Sequence, residues 1–182
     1  MPKMRGFGLL FATAIAGCAG GAVSEPRAAS NATPARVVAV SMAADSSKVD
    51  KVGASDGALQ PDGTPDLAVR VELEGPITAL FLVGTDANGE PSGKFQADTL
   101  IGQEEMPKEL SVAQTGKATA GLAVFEGERL LNKPDGSLPP LAGGPHTVTL
   151  YVNAASVTGD TGLRVYALGP DKRLTAGSVI RR

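Results

Sequence analysis

The chain has 182 residues, 17 basic against 19 acidic side chains, one cysteine, one histidine and no tryptophan. A slightly acidic balance without a basic cluster excludes the electrostatic footprint of a nucleic-acid binder and of a polybasic membrane patch. A lone thiol and a lone imidazole cannot build a disulfide framework or a closed zinc site. The core must therefore come from Val, Leu, Ile and Ala in a chain of ordinary single-domain size.

Met1–Arg5 carries Lys3 and Arg5 and no acid, and Gly6 to Ala14 is apolar apart from Thr13. Small residues then lead into Cys18, which is the charged, apolar and cleavage-site order of a secretory signal peptide. The apolar run falls well short of the roughly 20 residues that span a bilayer as a helix, and no later run reaches that length.

Ile15-Ala16-Gly17-Cys18 resembles the lipobox of bacterial lipoproteins: an aliphatic residue, two small residues and the cysteine that takes the lipid. The resemblance covers residues 1–18 only. It implies recognition by the signal peptidase through Ile15, Ala16 and Gly17, and a diacylglyceryl group on the Cys18 sulfur. It also implies an acyl chain such as palmitate on the amine freed by cleavage. Two chains, each worth about 0.8 kcal/mol per buried methylene, anchor stably. By the sorting rule of that family, Ala19 rather than an aspartate after the cysteine implies the outer membrane. The periplasmic and surface faces both remain open.

Without residues 1–17 the chain holds 15 basic and 19 acidic residues, so the lipid on Cys18, not charge, would contact the membrane. Residues 18–35 are small, polar and proline-containing, as expected of a flexible tether that averages about 20–25 Å end to end. Residues 36–182 are expected to fold.

Arg36 to Met42, rich in valine, reads as a strand. Ala43 to Asp66 lacks a period and reads as a long loop. Leu67, Val69, Val71 and Leu73 alternate with Arg70, Glu72 and Glu74, a half-buried strand. Gly75-Pro76 makes a corner, and Ile77 to Val83 is apolar enough for a central strand covered on both faces. Asn88-Gly89 supplies a tight turn, and Lys94 to Ile101 returns as a short strand. Pro107 breaks any long helix in Gln103 to Gly116 but allows one turn near Lys108 to Val112.

Leu122 to Phe125 and Arg129 to Leu131 are short strand candidates around Glu126-Gly127. Asp135-Gly136 turns the chain, and Pro139-Pro140 cannot sit in a central strand. His146 to Val152 alternates with Val148, Leu150 and Val152 inward. Gly162 to Leu168 and Leu174 to Ile180 complete the set across a turn at Gly169–Lys172. Short strands at this spacing predict an all-β, antiparallel β-sandwich of about seven to nine strands. Gly144 to Val152 resembles the penultimate strand of bacterial immunoglobulin-like domains, which often carry a corner tyrosine where His146 stands.

The chemistry available is narrow. A serine or cysteine hydrolase needs a base, usually histidine, and His146 has no Gly-x-Ser-x-Gly elbow to serve. Its expected role is a corner residue hydrogen-bonded to backbone. Glu104-Glu105 with Asp98 could be imagined as a glycosidase pair, but Tyr151 and Tyr166 offer little ring surface to stack a sugar. No catalytic residue and no cofactor is expected. Asp56, Asp62 and Asp66 are weak calcium candidates, since carboxylates in a flexible loop suit a hard cation; their spacing does not match an EF-hand.

The expectation is a non-enzymatic, lipid-anchored module of the cell envelope. It would bind another envelope protein or polymer, or serve as an accessory subunit of a secretion, motility or surface machine. A hydrolase is the disfavoured alternative.

Overall fold

The computed structural model describes residues 33–43, 49–53, 59–100, 107–111, 120–157 and 159–181. In chain order the elements are β1 (Arg36–Met42), β2 (Asp66–Glu74), β3 (Ala79–Thr85), β4 (Pro91–Asp98) and one helical turn, α1 (Lys108–Ser111). Then follow β5 (Ala120–Gly121), β6 (Ala123–Glu126), β7 (Arg129–Leu130), β8 (Pro145–Asn153), a 3-10 turn (Ala154–Ser156), β9 (Gly162–Leu168) and β10 (Leu174–Arg181). They form two five-stranded sheets, in the orders β1-β2-β8-β6-β7 and β10-β9-β3-β4-β5. The pairing is antiparallel except between β4 and the two-residue β5. The antiparallel sandwich expected from the strand spacing is the architecture found. Among the described residues, no helix is long and apolar enough to cross a membrane.

The two alternating rows define the first sheet. β2 and β8 pair along their whole length, with Val69 opposite Leu150 and Val71 opposite Val148. Successive side chains on a strand point to opposite faces, so Leu67, Val69, Val71, Leu73, Val148, Leu150 and Val152 all enter one core. From the second sheet they meet Leu80, Leu82, Phe95, Leu163 and Val165.

β3 is central in the second sheet and buried along its whole length. Leu80 and Leu82 face the shared core, whereas Ala79, Phe81 and Val83 face outward into a second cluster with Leu110, Tyr166 and Leu168. The single turn α1 thus has a clear packing role: it brings Leu110 against the outer face of β3. This explains why Ile77 to Val83 has no polar alternation.

The two sheets are joined at both sides. At one side β1 lies over β10, and both strands carry a register irregularity, between Val37 and Ala39 and between Ala176 and Val179. At the other side β5 belongs to the second sheet and β6 to the first, with only the buried Leu122 between them. One segment therefore switches sheets and forms the corner. Short or bulged edges blunt strand-to-strand aggregation.

Two details differ from the sequence reading. β4 starts at Pro91 rather than Lys94, because Thr85 pairs with Pro91 once the turn is made. In that turn Asp86 Oδ1 accepts the amides of Asn88 and Glu90 at 2.8 and 3.0 Å, and Gly89 takes a φ of +86°. β8 is followed by both β9 and β10, so Gly144 to Val152 is not the penultimate strand. It pairs between β2 and β6 in the first sheet, one strand earlier than the likeness implied.

Candidate functional site

The acidic segment between β1 and β2, expected to be a long loop, is tied down in its described parts by its own carboxylates. Asp66 begins β2 on the outward-facing row but is only 1% exposed. Its Oδ2 accepts the Lys51 amide and, at 3.1 Å, the Val52 amide, while its own amide donates to Val49 O at 2.7 Å. The buried Val52 is thereby held beside the strand.

Asp50 accepts the amides of Asp62 and Gly63 at 3.0 and 2.7 Å. Asp62 Oδ1 in turn accepts the Thr64 amide at 2.9 Å and the Thr64 hydroxyl. Short polar side chains that bind nearby backbone amides are the usual means of fixing a turn. Here three of them do so in succession.

Asn153 completes the knot from the other strand. It pairs with Asp66 across the first sheet and is fully buried. Its amide nitrogen donates to Thr64 Oγ1 at 2.5 Å and lies 3.3 Å from Asp62 Oδ2. Its oxygen accepts the Ala155 amide at 2.9 Å, capping the 3-10 turn. The sequence reading overlooked Asn153. The signal was an asparagine ending an alternating strand, a residue type that caps the turn that follows it.

Among the described residues, Asp66 Oδ1 has no hydrogen-bond partner. Burial holds the Asp66 carboxyl above its ordinary range; the two backbone amides oppose this, and the charges of Asp50 and Asp62 add to it.

These contacts bear on calcium. Asp62 and Asp66 lie in the same knot, and their described bonds go to backbone amides, to the Thr64 hydroxyl and to Asn153. Asp56 lies outside the described residues. Among the described residues, no group of three or more His, Cys, Asp or Glu side chains could hold a metal ion.

His146 sits at the end of the inward row of β8, opposite Leu73 of β2. Its Nε2 lies 3.0 Å from Ala142 O, and its Nδ1 lies 3.2 Å from Glu126 Oε1. The backbone bond is the one expected of a corner residue. The carboxylate partner was not foreseen, because nothing in the local pattern joins residues twenty positions apart. Glu126 also binds Arg129 Nη2 at 2.6 Å across the β6–β7 turn. Its carboxyl is held below the ordinary range, first by His146 and then by Arg129. A carboxylate that orients an imidazole is half of a hydrolytic triad, but here the other ring nitrogen meets a main-chain carbonyl.

The remaining candidates are dispersed. Asp98 accepts Gln96 Nε2 and the Leu100 amide at 3.1 and 3.0 Å, while Glu104 and Glu105 lie outside the described residues. Tyr151 packs edge-on against Phe125 with ring centres 5.4 Å apart, and Lys51 Nζ stands 5.2 Å from the Phe125 ring centre. Tyr166 is buried beneath Arg164. Ile15, Ala16, Gly17 and Cys18 lie outside the described residues. No family model, curated protein or solved structure matches the chain.

Proposed function

We propose that the chain is an outer-membrane-anchored lipoprotein whose sandwich serves as a non-catalytic binding or structural module of the cell envelope. The observation that carries this reading is Ile15-Ala16-Gly17-Cys18 at the end of a short apolar run, with no second cysteine in the chain. The partner would be an envelope protein or polymer, met at the end of the residue 18–35 tether.

Two features support the non-catalytic part. His146 is engaged at both nitrogens, by Glu126 and by a backbone carbonyl, so acting as a base would require breaking the clamp. The described acids of the Asp66 knot are bound to backbone amides. The two sheets, in the strand orders β1-β2-β8-β6-β7 and β10-β9-β3-β4-β5, form a β-sandwich, an architecture that serves many binding roles and implies none by itself.

The test is Cys18→Ser. The substitution should abolish lipid labelling and move the protein out of the membrane fraction. Retention of label and of membrane association after a high-salt wash would refute the anchor. Co-purification in detergent addresses the role: a stoichiometric multiprotein complex would instead make the chain an assembly subunit of an envelope machine.

A further inference from the structure

We propose that His146 is a proton-dependent pin that ties the Leu141–Gly144 loop to the β6–β7 hairpin and releases the loop when the imidazole loses its proton. The argument rests on what each ring nitrogen faces. Ala142 O can only accept, so the Nε2 3.0 Å away must donate to it. Ionised Glu126 can only accept, so the Nδ1 3.2 Å away must donate to Oε1. Only the doubly protonated ring donates from both nitrogens.

The neutral ring carries one proton and can keep one of the two bonds. The carboxylate is the stronger acceptor, and Arg129 fixes it from the other side at 2.6 Å. The remaining proton therefore stays on Nδ1, and the Nε2 lone pair is left facing the lone pairs of Ala142 O. The carbonyl side gives way.

The loop is built to move at that point. Leu141 is fastened to Ile77 by two backbone bonds, of 2.8 and 3.2 Å, and Pro145 opens β8. Between these anchors lie only Ala142, Gly143 and Gly144, with Gly144 at a φ of +132°. Glu126 on β6 and, through it, Arg129 on β7 are the charged groups in the clamp. On β2, Glu72 and Glu74 flank Leu73, the partner of His146, but belong to the opposite face of the sheet. The Leu141–Gly144 loop itself carries no ionisable side chain.

Because the chain has one histidine, its imidazole gives a single titration by nuclear magnetic resonance. In the full chain, the Ala142 carbonyl-carbon shift and the Gly143 and Gly144 amide shifts should move in step with that titration. In Glu126→Gln they should stop doing so. The side-chain amide can donate to Nδ1, which leaves the neutral ring its Nε2 proton for Ala142 at every pH. In His146→Gln, the shifts should no longer change between about pH 5 and 8, where histidine ionises. An Ala142 carbonyl shift that stays constant through the wild-type imidazole titration would overturn the proposal. So would one that still follows the imidazole in Glu126→Gln.

Discussion

Gly177 of β10 lies directly beneath Val40 of β1: a Cβ on Gly177 would stand 2.6 Å from Val40 Cγ2 and 2.7 Å from Val37 Cγ1. The absence of a side chain at 177 is what lets the edge strand of one sheet close over the edge of the other. Both valines are branched at Cβ and stiff about χ1, so they cannot easily swing aside.

Gly177→Ala should therefore destabilise the domain by overpacking, by about 1–3 kcal/mol. A urea unfolding curve measures it. A change within about 0.5 kcal/mol, the range of an ordinary surface substitution, would mean that β1 is free to shift outward and that the edge is loosely closed.

Leu150→Ala tests the centre of the core. Leu150 is fully buried and sits between Val69 and Val124 in the first sheet. Removing three carbons there should cost about 2–5 kcal/mol through lost burial and the cavity left behind. Thr149, the next residue on the strand, is half-exposed. Thr149→Ala should cost much less, and equal losses at the two positions would contradict the register.

Asp66 should separate charge from hydrogen bonding. Its carboxyl is held above the ordinary range by burial, so between the unfolded and folded pKa values the native state binds more protons than the unfolded state. The stability contribution of this group is therefore greatest below the unfolded pKa and is lost as pH rises through the folded one. Asp66→Asn keeps an oxygen for the amides of Lys51 and Val52 and removes the buried charge. It should match or exceed the wild type at pH 7, and its advantage should shrink on acidification. Asp66→Ala leaves those amides without an acceptor and should lose roughly 1–3 kcal/mol. Chemical denaturation at several pH values gives the comparison.

Calcium should leave the melting temperature unchanged. A ligand that binds only the folded state adds about 2.7 kcal/mol of stability at a hundredfold excess over its dissociation constant. The described carboxylates that would have to supply that binding already hold backbone amides. A calcium-dependent shift that disappears in Asp62→Asn plus Asp66→Asn would show that the knot rearranges around the ion.

The alternation Leu67-Val69-Val71-Leu73 and Val148-Leu150-Val152 was enough to assign strands, inward faces and the sandwich class. A period of two leaves no other way to bury one row while the other meets water. The run Ile77 to Val83, apolar apart from Thr78, was likewise enough to place a strand covered on both faces. Turn chemistry at Asn88-Gly89 and Gly169–Lys172 acts over a few residues, so it too was legible locally. Only the tertiary structure decided which strands pair and which sheet each joins. It also decided that Leu110 covers the outer face of β3 and that Gly177 must lack a side chain. The knot of Asp50, Asp62 and Asp66 with Asn153, and the clamp of Glu126 on His146, follow the same rule. Their partners lie far apart in the chain, and each polar group is drawn to whichever donor or acceptor the folded backbone brings within about 3 Å. That distance is a property of the packed sheets, and no local pattern of residue types encodes it.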